Sequence, residues 1–254
     1  VIDGHCHLDK NAGDCPGAMR NLYEAASSAG VKKIILLNLP ELGFDNNKVI
    51  QNAVRNHDGY FRVFPSINPM DKSAGDDLSK LKASGAAGLK LHPRLHGYQI
   101  DSDECLSLLS RAAELKMPVI ADCFPDGRNL YLGNIPDAFT RIAEKLPGLR
   151  IAIGHAGGHK VLDALMVAKY YKNVYLDLSY TLLYYRDSSV LNDIAYAIKN
   201  IRGERVFWGS DYPDRPYEET VKLSMQEFNK MGLPDTYLKS VLKTNAERFL
   251  EEHD

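Results

Sequence analysis

The sequence predicts a single (β/α)8 barrel of the TIM type with an extra C-terminal helix. Three observations lead there. Short, continuous apolar runs recur along the chain, each suited to a parallel strand covered on both faces. Amphipathic stretches separate the runs, as right-handed crossovers between parallel strands require. Polar residues follow nearly every run, where a barrel gathers its active site at the carboxyl ends of its strands. The length of 254 residues suits one such barrel. A doubly wound open sheet is the competing class, but its polar residues would collect at one switch point.

The elements follow in order. The first strand, Val1–His5, runs straight into His5-Cys6-His7. Alternate residues of a strand share a face, so His5 and His7 point the same way. Met19–Ala29 reads as the first helix. Lys33–Leu39 and Phe61–Ile67 are the second and third strands, ending at Asn38 and Asn68, and Asp76–Ala83 is a helix. Strand four, Ala87–His92, carries Lys90 and His92 on one face and runs into Pro93 and Arg94. Ser102–Leu115 is a helix, and strand five, Pro118–Cys123, ends around Asp122. The helix Ile135–Lys145 leads to strand six, Arg150–His155, with His155 at its end. Val161–Tyr171 is helical, and strand seven, Val174–Ser179, carries Asp177 and Ser179. The helix Val190–Ile201 precedes strand eight, Arg205–Gly209, which delivers Ser210 and Asp211. Tyr217–Lys230 is the last barrel helix and Tyr237–Leu250 the extra one. Gly232-Leu233-Pro234-Asp235 separates them, with Asp235 as the expected N-cap. No linker or shift in composition interrupts the chain, so residues 1–254 read as one domain.

Composition narrows the functional classes. Apolar residues make up 44% and charged residues 25%, ordinary for a globular protein with a full core. A net charge of −2 gives no global attraction for nucleic acid or an anionic membrane, so neither is an expected partner. No apolar run reaches the ~20 residues that span a bilayer. Cys6, Cys15, Cys105 and Cys123 form no CxxC pair, which predicts a reduced, cytoplasmic protein. Cys6 and Cys123 fall near the strand ends, where a reactive role competes with that of buried, inert thiols.

Two imidazoles on one strand end and a carboxylate on a distant one are the core of a metal-hydrolase site. For a lone histidine the better reading is a satisfied polar residue. His-x-His and Ser-Asp at opposite ends of a repeating β/α chain favour the metal site. Lys90 reads either as a substrate or metal contact or as the ion-pair partner of Asp122 or another buried acid. Arg94 suits a substrate carboxylate, since guanidinium binds carboxylates bidentately, with a plain surface arginine as the alternative. Tyr180, Tyr184 and Tyr185 either wall the site or simply pack their loop. The Gly154–His159 run lacks the spacing of a phosphate loop, and His159 is expected to face solvent.

His5-x-His7, Gly88-Leu89-Lys90-Leu91-His92-Pro93, His155-Ala156-Gly157-Gly158 and Trp208-Gly209-Ser210-Asp211-Tyr212-Pro213 resemble the amidohydrolase superfamily. The branch they resemble is amidohydrolase family 2, which includes aminocarboxymuconate-semialdehyde decarboxylase and pyrone-dicarboxylate lactonase. The tail Val241–Phe249 is similar to that group's terminal helix. The resemblance implies that His5 and His7 bind a divalent metal, zinc ahead of manganese. Asp211 would be a ligand or the general base, and His155 the catalytic histidine. Many members carry a metal-binding histidine at the end of strand five. Here Asp122 stands in its place, as an alternative ligand or as the sign of weaker binding or metal-free chemistry. The expected activity is metal-assisted hydrolysis of an ester, lactone or amide in a small, polar, carboxylated substrate. Lys90, His92 and Arg94 are the substrate-binding candidates. Non-oxidative decarboxylation and a non-catalytic small-molecule-binding barrel are the rivals. The resemblance also implies a homodimer.

Overall fold

The computed structural model describes residues 1–127 and 136–251. Among these residues eight strands occur in order: β1 (Ile2–Cys6), β2 (Lys33–Asn38), β3 (Phe61–Pro65), β4 (Leu89–Leu91), β5 (Val119–Ala121), β6 (Ile151–Ile153), β7 (Val174–Asp177) and β8 (Val206–Phe207). Around them lie α1 (Cys15–Ser28), α2 (Asn46–Asn56), α3 (Ala74–Ala83), α4 (Pro93–His96), α5 (Asp103–Glu114) and α6 (Ala138–Lys145). The series continues with α7 (Val161–Tyr170), α8 (Thr181–Tyr184), α9 (Val190–Asn200), α10 (Tyr217–Lys230), α11 (Asp235–Lys239) and α12 (Asn245–Leu250). Every strand pair is parallel, in the runs β1-β2-β3 and β4-β5-β6-β7-β8.

The regular ladder breaks at two seams, each crossed by hydrogen bonds. Between β3 and β4, Ala87 N donates to Val63 O at 2.8 Å, and Ser66 bridges Lys90. Between β8 and β1, Gly4 N donates to Trp208 O and Asp211 N to His5 O, both at 2.9 Å. Two glycines permit this second approach. A Cβ on Gly4 would meet the Phe207 ring at 2.4 Å, and one on Gly209 would meet His5 Cβ at 2.6 Å. Together with the structural likenesses given below, this is a (β/α)8 barrel.

Alternation along the strands divides the core in two. Ile35 and Leu37 point inward with Ile2, Phe64, Ile120, Tyr175 and Phe207, while Ile34 and Leu36 face the helices. The C-terminal helix closes the interior at the amino-terminal end. Phe249 of α12 packs its ring 5.0 Å from Tyr175 and 5.3 Å from Phe207. That accounts for an extra helix beyond the barrel count: without it the inner apolar layer would meet water.

Several boundaries differ from the sequence expectation. β1 keeps its expected length, shifted by one residue, and the other strands are shorter, most of them ending early where the residues after each run turn into loops that carry the site. α1 starts four residues early, since the Asp14 carboxylate accepts from Gly17 N at 2.8 Å and Pro16 favours the first turn. α2 has no counterpart in the sequence reading; Val49, Ile50 and Ala53 are its buried face. Asp235 is not the N-cap of α11: Pro234 occupies that position and Asp235 opens the first turn. Tyr237–Leu250 divides into the end of α11, a π-helical turn at Ser240–Thr244 and α12. Ile135, the expected start of the sixth helix, and residues 252–254 of the domain reading lie outside the described residues. Among the described residues, no helix is long and apolar enough to cross a membrane.

Candidate metal centre and active site

His5, His7 and Asp211 meet at the carboxyl end of the barrel. Among the described residues they form the group whose nitrogen and oxygen ligand atoms all lie within 4.8 Å of one another. His5 Nε2 lies 3.2 Å from both His7 Nε2 and Asp211 Oδ1, and His7 Nε2 is 3.6 Å from the same oxygen. The β1–β2 register shifts between Asp3 and Cys6, a bulge that re-aims His5.

The other nitrogen of each ring fixes what these atoms offer. His7 Nδ1 lies 2.8 Å from the Leu37 carbonyl, which can only accept, so Nδ1 carries the proton and Nε2 the lone pair. His5 Nδ1 contacts the buried Asp177 carboxylate, with Ser179 Oγ at 2.9 Å, which leaves its Nε2 facing the group as well. Carboxylate–histidine pairing of this kind orients the histidines of metal sites. Tetrahedral bonds of ~2.05 Å place ligand atoms about 3.3 Å apart, close to the three separations seen. Two imidazole nitrogens and a carboxylate oxygen at that spacing fit a zinc-type divalent cation.

The electrostatics agree. Burial pushes His5 down, but Asp177, with Asp211 behind it, holds it up at about 9. Burial and the charge on His5 push His7 down to about 3. Burial raises Asp211, yet its bond to His5 and that ring's charge bring it below the usual carboxylate range. A proton serves His5 alone; a divalent cation serves all three donors.

A second cluster adjoins the first. His155 lies beside His5, ring centroids 4.9 Å apart and planes tilted by 42°, with Nδ1 3.0 Å from Ser179 O and Nε2 3.2 Å from Asp122 Oδ2. Asp122 stands outside the three-residue group. Its oxygens take Arg94 Nε at 2.9 Å and Nη2 at 3.3 Å, and His92 Nε2 is 3.8 Å away. Burial raises Asp122, but His92 and His155 hold it well below the usual range. The expected further metal ligand thus has a guanidinium and an imidazole as its bonded neighbours. Arg94 also gives Nη1 to Asp126 at 2.5 Å, so the donors expected to meet a substrate carboxylate already meet acids of the chain. Lys90 is buried and pushed down by that burial, with Asp122, Asp177 and Asp211 pulling the other way. Burial lowers His92 to about 4.

A cavity of about 450 Å³ opens over both clusters. His7, Lys90, His92, Arg94, Asp122, His155 and Asp211 line it, so seven of the eight sequence-assigned residues reach one mouth and His5 lies buried beneath. Phe124 and Tyr180 form an aromatic side, their centroids 4.9 Å apart, and Tyr184 packs against Phe124 at 5.1 Å. His155, Tyr180 and Asp211 all hold left-handed backbone at φ 55°, 59° and 55°. Such conformations cost about 1–3 kcal/mol each and persist where the surroundings enforce them. Cys6 and Cys123 are buried and free, and burial raises both thiols, which suits the inert reading. His159 is exposed, as expected.

Sequence reasoning missed Asp3, Tyr217 and Phe124. Asp3 is buried beside the β1–β8 seam. Its Oδ1 accepts from Ser210 N at 2.8 Å and His5 N at 3.1 Å, and its Oδ2 from Tyr217 Oη at 2.7 Å. It thereby ties the strand bearing His5 to the turn bearing Asp211. Burial raises Asp3 to about 6 against these bonds. A charged residue inside the apolar opening Val1-Ile2-Asp3 was the signal available.

The sequence profile of the amidohydrolases matches residues 2–251. No curated protein matches the chain in sequence. In structure it is similar to a probable 2-pyrone-4,6-dicarboxylic acid hydrolase from Acinetobacter baumannii with citric acid bound (17% identity, TM-score 0.70, 98% of each chain covered). It is similar to 5-carboxyvanillate decarboxylase from Sphingomonas paucimobilis (16%, TM-score 0.67, 92% of this chain and 83% of that one). A third similar structure is an amidohydrolase from Burkholderia multivorans with bound zinc (12%, TM-score 0.72, 98% of each chain). At these identities the likeness establishes the fold.

Proposed function

We propose that this chain, which belongs to the amidohydrolase family, is a metal-dependent hydrolase of small carboxylated esters, lactones or amides. The observation that carries the proposal is the convergence of His5 Nε2, His7 Nε2 and Asp211 on one point, with Asp177 and Leu37 O fixing the two rings. His5, His7 and Asp211 would hold the metal, with zinc the first candidate. When bound, such a metal supplies Lewis acidity to water and to an acyl oxygen. Asp211 takes the proton of the attacking water and returns it to the leaving group, a role that contributes about 10²–10⁴-fold. His155, its Nδ1 on the Ser179 carbonyl, turns its Nε2 proton from Asp122 to the oxygen on which negative charge develops. Lys90 and His92 draw the substrate carboxylate into the cavity. Arg94, at the same wall, holds Asp122 in place.

A panel of carboxylated lactones, aryl esters and amides, turned over in ¹⁸O-enriched water, tests this. Hydrolysis places the label in the new carboxylate and releases no carbon dioxide. Loss of carbon dioxide with no label gained, from any carboxylated member, would replace the hydrolase with a decarboxylase on the same residues.

A further inference from the structure

One buried hydroxyl lies between the two clusters of the site. Ser179 stands two residues past Asp177, so strand alternation turns both side chains into the barrel, while Leu178 between them packs in the outer layer. Ser179 is fully buried, and its Oγ lies 2.9 Å from His5 Nδ1 and 3.1 Å from His155 Nδ1. His5 belongs to the metal group and His155 to the Asp122 cluster.

The ring protons decide what this hydroxyl does. His155 Nδ1 faces the main-chain oxygen of Ser179 at 3.0 Å, which can only accept, so that nitrogen carries a proton. His5 Nδ1 faces the Asp177 carboxylate, also an acceptor, and carries one too. Ser179 Oγ therefore accepts from both rings, with one lone pair for each. The same turn holds the His155 backbone. Residues His155–Gly158 have positive φ throughout, from 48° to 72°, so neither a strand nor a helix fixes where that imidazole points. Thr181 Oγ1, also fully buried, donates to His155 O at 2.5 Å. Ser179 N donates to Asp177 Oδ1 at 2.8 Å, which ties the serine to the carboxylate that orients His5.

We infer that Ser179 is a positioning residue that couples His155 to the metal ligand His5. The inference rests on the function proposed above for the roles of the two rings. Because both rings donate to one oxygen in a buried network, a shift of His5 as it takes up a metal is felt at His155. Asp177 alone would orient His5 without informing His155; the hydroxyl two residues on makes the link.

Nuclear magnetic resonance of protein with ¹⁵N-labelled histidine rings tests this without any substrate. In metal-free protein, Ser179→Ala should move the Nδ1–H signals of both His5 and His155. That variant keeps Asp177 and the main-chain oxygen of residue 179 as acceptors, so its circular dichroism should match the parent. Thr181→Val removes only the bond to the His155 carbonyl, and should move the His155 signal and leave that of His5. Zinc added to the parent should shift the His155 Nδ1–H, and Ser179→Ala should cut that shift to about half or less. The zinc dissociation constant should rise about tenfold in Ser179→Ala, the low end for partners of ligating histidines, because Asp177 stays. Ring signals unmoved by Ser179→Ala, or a zinc-induced His155 shift as large as in the parent, overturn the inference. A parent that takes up no zinc refutes the proposed function instead, and the metal-free spectra still decide whether the hydroxyl joins the rings.

Discussion

Replacing Asp177 by Asn isolates the contribution of the carboxylate that orients His5. Asp177 is fully buried and uses both oxygens: Oδ1 accepts from Ser179 N at 2.8 Å, and Oδ2 faces His5 Nδ1. An amide has one acceptor for these two donors. If its oxygen keeps Ser179 N, its NH2 meets His5 Nδ1, and the ring must move its proton to Nε2. That removes the lone pair facing His7 and Asp211. If the oxygen turns to His5, the NH2 opposes the Ser179 N–H, and a buried donor goes unmet at about 1–3 kcal/mol. Either way the folded site holds metal less well. Loss of such outer partners typically costs 10–100-fold in metal affinity, about 1.4–2.7 kcal/mol. Competition with a chromophoric chelator reads the dissociation constant directly, and circular dichroism checks the fold. An Asp177→Asn variant that folds and binds zinc as tightly as the parent would refute the reasoning on the His5 proton.

Asp122→Asn should keep the metal, because Asp122 bonds Arg94 and His155 instead of joining the three-residue group, while turnover falls. Stability should drop by about 1–3 kcal/mol in urea unfolding, since Arg94 retains Asp126. Metal lost in step with activity would return Asp122 to the ligand set. Gly209→Ala puts a methyl 2.6 Å from His5 Cβ and 2.8 Å from His5 N. It should lower stability by about 1–3 kcal/mol and weaken metal binding together; an unchanged denaturation midpoint would contradict the close seam.

The parts of this molecule readable from sequence are those set by neighbours in the chain. His5 and His7 are two residues apart on one strand end, and Asp211 closes an apolar run, so the barrel rule alone brings them to one mouth. The eight strands were readable because their apolar runs are continuous. Asp177 was visible as a polar residue in the seventh strand, but its contact with His5 spans 172 positions, and no local pattern encodes it. Arg94 and Asp122 show the same limit. The run before Asp122 demanded a partner for its carboxylate, yet several cations were in reach and only packing chose Arg94 over Lys90 as the hydrogen-bonded one. Asp3 was passed over because a single acid in a strand carries no periodicity.

The central claim, that His5, His7 and Asp211 hold a divalent metal on which activity depends, is tested most directly by elemental analysis. Wild-type protein purified without added metal would be compared with a His5→Ala, His7→Ala double variant. The account predicts near-stoichiometric zinc or a similar divalent ion in the wild type, activity lost to a chelator and restored by the metal, and no bound metal in the folded double variant. Wild-type protein that is metal-free yet fully active, and indifferent to chelator, would contradict it.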